Sequence, residues 1–168
     1  ISQGQKMIRS VCILLLACGL LACRSKQEQQ SSCEASDSSL NDTLFYQNRG
    51  ACFGTCPVFE LVIYKDGRAI LSGIRHVKHV GSYQAILAYE QYSPLIAAVQ
   101  KIGFLDWEDS YDNDKVTDLP SIITAVNLNG KRKQVLARYK APESLIFLNE
   151  EVDQLIDQVN WIKMSTNE

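Results

Sequence analysis

Histidine is scarce in this chain: His76 and His79 are its two, set three positions apart and without a matched nucleophile. There is no Gly-x-Ser-x-Gly, no His-Glu-x-x-His and no phosphate-binding loop, so acyl hydrolysis, zinc proteolysis and nucleotide chemistry find no support. An excess of basic charge is also missing. Lys and Arg number 17 against 19 Asp and Glu, a net of −2, where a nucleic-acid surface calls for a basic stripe. The chain lacks a long hydrophobic run as well. Its longest, Val11–Leu21, has eleven apolar or small residues, short of the ~20 that span a bilayer but suited to the core of an export signal.

What is present starts with that signal. Met7-Ile8-Arg9-Ser10 is a short basic start, and the run ends Leu20-Leu21-Ala22-Cys23. A small residue before a cysteine resembles the lipobox at which bacterial lipoproteins are acylated and cut. The expected organisation is a signal peptide over 1–22, with 1–6 an overextended start, then a lipidated tether over 23–42 and one folded domain over 43–164. Leu15-Leu16-Ala17-Cys18 matches too, yet leaves only Val11–Leu16 as hydrophobic core, so Cys23 is preferred. An uncleaved anchor or plain secretion is the alternative. Residues 24–42 are rich in Gln, Ser, Glu, Asp and Lys and cannot bury enough surface to offset the entropy of ordering. Cys33 lies within them, and a free or intermolecularly paired thiol is favoured there. The partners implied are membrane lipid through acylated Cys23 and an envelope protein. Arg24 rather than Asp after Cys23 resembles outer-membrane sorting.

Cys52 and Cys56 stand four positions apart in Arg49-Gly50-Ala51-Cys52-Phe53-Gly54-Thr55-Cys56-Pro57. A strand would set them ~13 Å apart, beyond the Cα separation a disulfide tolerates, so pairing requires a turn, which Gly54 permits. A structural disulfide is preferred over free or redox-active thiols, because redox dithiols use the tighter Cys-x-x-Cys. Metal binding with His76 and His79 is disfavoured, since two residues lie between them where zinc sites use three to five. Two exposed histidines are expected instead. No cofactor is implied.

Val58–Tyr64 and Arg68–Gly73 flank Asp66-Gly67, a hairpin signal, and Gly81–Leu87 reads as a third strand. Tyr92, Leu95, Ile96, Val99 and Ile102 trace a helix over 93–102, with Ser93-Pro94 as start. Ser121–Leu128, Asn129-Gly130 and Lys131–Tyr139 repeat the hairpin. From Pro142, Leu145 to Ile162 trace a long amphipathic helix. The fold class is α+β: an antiparallel sheet with two helices packed on one face, read either as a duplicated strand-strand-helix unit or as an unrepeated meander. Asp106–Asp118 is the most acidic stretch, but the calcium-loop pattern fails at Val116 and Thr117, so a solvated acidic loop is expected, with Thr117-Asp118-Leu119-Pro120 forming a turn.

The run Arg49–Phe59, with Asp66-Gly67, Gly73, Gly81, Tyr111, Thr117-Asp118, Pro142 and Leu145, resembles the domain of unknown function numbered 6438 of bacterial envelope lipoproteins, over roughly residues 42–162. Phe59 stands where that family more often shows Tyr. The resemblance implies address and fold but no activity, and no catalytic or ligand residue is carried over. The function expected is a membrane-tethered, non-enzymatic binding or assembly module. The alternative is a thiol-dependent redox protein, or another enzyme, using Cys52 and Cys56.

Overall fold

The structure, a computed structural model, describes residues 42–116 and 118–165. The expected signal, Cys23, Cys33, the tether up to residue 41 and Thr117 lie outside the described residues.

Eight strands form one sheet: β1 Thr43–Arg49, β2 Val58–Tyr64, β3 Arg68–Arg75, β4 Gly81–Ile86, β5 Ser110–Tyr111, β6 Ile122–Leu128, β7 Lys131–Ala137 and β8 Ile162–Lys163. Their spatial order is β5-β7-β6-β1-β2-β3-β4-β8. Every neighbouring pair is antiparallel except β5 with β7. Two helices, α1 Tyr89–Lys101 and α2 Leu145–Gln158, complete the expected α+β architecture.

The β2–β3 hairpin forms where Asp66-Gly67 placed it. Gly67 has φ +85° and its N–H donates to the Tyr64 carbonyl at 3.0 Å, the left-handed position that closes such loops. Period-two alternation then sends Phe59, Leu61 and Ile63 of β2 to one face, level with Phe45 of β1 and with Ala69 and Leu71 of β3. These residues bury together with Leu95 and Val99 of α1 and Leu148 and Val152 of α2 in one core.

β1 was not anticipated, yet it occupies the middle of the sheet between β2 and β6. Its inward face reads Phe45, Gln47, Arg49, all buried, and two of these three are polar, which masks the apolar alternation that identifies a strand.

Both helices shift from expectation. α1 starts at Tyr89, not Ser93, because the Gln91 side chain accepts the Ala88 N–H at 2.9 Å and so satisfies the first turn. Pro94 then falls inside the helix, and the Ser93 hydroxyl donates to the Glu90 carbonyl at 3.5 Å, the carbonyl that proline cannot serve. α2 starts after a turn at Pro142 and ends at Gln158, so Ile162 is not helical. It pairs with Gln84 as part of β8.

The two halves share an order of elements but are unequal. Each contributes a hairpin followed by a helix, while β4 is inserted before α1 and β1 separates the hairpins. Both helices end the same way: Trp107 Nε1 donates to the Ile102 carbonyl at 3.1 Å and Trp161 Nε1 to the Ile156 carbonyl at 2.9 Å, each five residues back. Carbonyls at a helix C-terminus lack intrahelical donors, and an indole N–H supplies one here.

The six acidic residues of the Asp106–Asp118 stretch are all exposed, as a solvated loop requires. The stretch contains β5, and Asp109 pairs with Lys133 at 2.6 Å and Asp112 with Arg138 at 3.5 Å. Two of its six acidic side chains therefore reach β7 or the residue that follows it, and Asp109 stays 87% exposed while doing so.

Candidate binding site

One end of the sheet collects the features the sequence singled out. The Gly50–Pro57 connection between β1 and β2 and the His76–Val80 connection between β3 and β4 meet there, because Val58 at the start of β2 pairs with Arg75 at the end of β3.

In the first connection Cys52 and Cys56 lie at disulfide distance, their Cα atoms 5.8 Å apart, within the range a bridge tolerates. Phe53, between them, is 98% exposed, and Ile74 and Val80 at the same end are 62% and 54% exposed. Phe53 is the residue that sequence reading missed. Its signal was an aromatic side chain between two cysteines with Gly54 beside it, where the small ring offers no core to bury it.

The second connection folds back over β3. A Cβ on Gly73 would fall on the His79 carbonyl oxygen and come within 2.9 Å of Val77 Cγ2, so this path requires glycine. His76 adopts φ +56°, a conformation uncommon for a residue with a Cβ. The histidines are not equivalent, against expectation. His76 is exposed, whereas His79 is half-buried, with its ring edge-on to Tyr83 at 5.2 Å and its Nε2 buried without a hydrogen-bond partner among the described residues.

Behind both connections a buried polar network joins the sheet to α2. Arg49 Nη1 contacts Asp153 Oδ1 at 2.8 Å and Nη2 donates to the Asn149 carbonyl at 2.9 Å. Arg49 Nε donates to Gln47 Oε1 at 2.9 Å, and Gln47 Nε2 donates to Thr124 Oγ1 and Asn149 Oδ1, each at 3.2 Å. The guanidinium also lies 4.9 Å from the centre of the Phe59 ring. Burial lowers the pKa of Arg49 and Asp153 opposes that shift.

Between the His76–His79 loop and α2 lies a cleft of about 220 Å3. Phe59 and Leu71, each 2% exposed, contribute to its floor. His76, Lys78 and His79 line one side, and Asp153, Ile156 and Asp157 the other. The sheet face opposite the helices carries a larger hollow of about 350 Å3 around Tyr46, Ile123 and Ala125. No group of three or more His, Cys, Asp or Glu side chains converges as a metal site among the described residues.

Residues 43–156 match the family described as Domain of unknown function (DUF6438). The chain belongs to this family. The DUF6438 span opens at the first residue of β1 and closes inside α2, so it takes in both loops, Arg49 and Asp153, while Asp157 falls just beyond it. No curated protein and no solved structure matches the chain.

Proposed function

We propose that this DUF6438 chain is a bacterial envelope lipoprotein whose folded domain is a non-enzymatic binding module. An acyl group on Cys23 holds it to the membrane, with the outer membrane preferred. A polar leash of about 25 Å, by the square-root scaling of flexible chains, carries the domain. The loop end of the sheet, led by Phe53, faces an envelope protein.

The observation that supports docking is Phe53 itself. An aromatic side chain 98% exposed stands on a loop whose backbone a Cys52–Cys56 disulfide restrains before any partner is met. Rigid aromatic anchors dominate interface energetics, and a covalently closed loop loses little entropy on binding. Ile74 and Val80, exposed at the same end, extend the apolar contact.

Two measurements test the reading. Cells fed labelled palmitate incorporate label into the wild-type chain and not into Cys23→Ser; equal labelling, or none in the wild type, overturns the anchor. Once a partner is identified, Phe53→Ala weakens the purified complex by at least tenfold, about 1.4 kcal/mol. Unchanged affinity removes the loop from the interface.

A further inference from the structure

The cleft beside α2 has a property separate from the exposed loop. Asp153 spends both carboxylate oxygens on Arg49 Nη1, at 2.8 and 3.1 Å. Lys78 and His76 on one side and Asp157 on the other have no hydrogen-bond or ion-pair partner among the described residues. Uncommitted groups of opposite character therefore border one apolar floor, Phe59, Leu71 and Ile156.

The loop that carries Lys78 holds its path against local preference, with His76 at φ +56° and its backbone pressed onto Gly73. Unfavourable backbone conformations persist where surrounding structure enforces them, and they cluster at ligand clamps. The cleft's 220 Å3 falls below the roughly 300–1,000 Å3 of sites for drug-sized ligands. A molecule with one side chain is enough to fill that space.

We infer that this cleft binds a small zwitterion with an apolar side chain, the chemistry of a free aliphatic amino acid. Its carboxylate meets Lys78 and His76, its ammonium meets Asp157, and its side chain covers Phe59, Leu71 and Ile156. Lys78 and Asp157 are exposed, so each charge contact remains partly hydrated and affinity is modest. Selectivity comes from satisfying both ends at once.

The probe is L-leucine, titrated into the full chain and followed by amide shifts of residues 76–79 and 156–157. L-Leucinamide lacks the carboxylate and N-acetyl-L-leucine lacks the ammonium. Leucine is expected to saturate the site with Kd below about 1 mM and to bind at least about tenfold more tightly than either analogue. Lys78→Ala should reduce the preference over leucinamide alone, since His76 remains, and Asp157→Asn should abolish the preference over N-acetyl-leucine alone. Both variants change exposed side chains and should melt as the wild type does. Absence of saturable shifts up to about 10 mM, equal binding of the three probes, or variants that keep both preferences undiminished would overturn the site. The inference does not rest on Phe53: a chain that binds leucine but finds no protein partner keeps this site and loses the docking surface.

Discussion

Arg49 on the central strand β1 and Asp153 on α2 stand 104 positions apart in sequence and 2.8 Å apart in space. The arginine side chain is 9% exposed and the aspartate 52%, so the cation is the desolvated partner. It depends on Asp153, the Asn149 carbonyl and Gln47 together. Removing the cation leaves buried acceptors unpaired, whereas removing the carboxylate leaves an arginine that still holds its other partners. Arg49→Ala should therefore cost about 3 kcal/mol in denaturant unfolding, and Asp153→Asn about 1 kcal/mol, because its exposed side is already screened by water. Equal costs would mean the pair is not organised around the buried arginine.

The cysteine loop yields a second test. Closing a ring of five residues stabilises the fold by about 2 kcal/mol in the chain-entropy picture. Intact mass should show Cys52 and Cys56 resistant to alkylation until reductant is added. The double variant Cys52→Ser with Cys56→Ser should unfold about 2 kcal/mol more easily. Ready alkylation of both thiols in native protein, with stability unchanged by the double variant, would favour the thiol-dependent alternative.

Gly73 and His76 set the path of the loop that borders the cleft. Gly73→Ala places a methyl group on the His79 carbonyl and should cost about 2 kcal/mol while moving the amide signals of residues 76–80. At His76, with φ +56°, a β-branched residue is strained and glycine is not. His76→Val should lose about 1–2 kcal/mol, and His76→Gly should stay within about 0.5 kcal/mol of wild type, the relief of strain offsetting the freer unfolded chain.

Tyr46 on the open face donates its hydroxyl to Glu60 Oε2 at 3.0 Å. Its pKa is pushed up to about 12, first by burial and then by the Glu60 carboxylate. A raised folded-state pKa favours the neutral phenol, so its contribution to stability is fully present below about pH 10, the value for an unfolded tyrosine, and fades as pH rises toward 12. Ultraviolet titration should show a late tyrosine that Tyr46→Phe removes. Glu60→Gln should lower its midpoint without restoring the ordinary value, because burial remains.

How much of this was legible follows from where each side chain finds its partner. β2 and β3 carry their own evidence: alternating Phe59, Leu61 and Ile63 and the Asp66-Gly67 turn are local signals. β1 does not, because Gln47 and Arg49 become inward residues only once Thr124, Asn149 and Asp153 are beside them. Periodicity likewise carried α2 through Ile162, where pairing with Gln84 and the Trp161 bond to Ile156 end the helix earlier. Cys52 and Cys56 were visible from spacing. Lys78 facing Asp157 across a cleft was not, since one sits in a loop and the other on a helix some eighty residues later.

Docking through the cysteine loop is tested most directly by photo-crosslinking in living cells, with a photoreactive phenylalanine analogue at position 53 or, separately, at Ile86, which is 75% exposed on the opposite sheet face. The expected result is a discrete protein adduct at position 53 that disappears when Cys52 and Cys56 are replaced by serine, with no such adduct at position 86. A protein adduct at position 86 alone, or only lipid adducts at position 53, would contradict it.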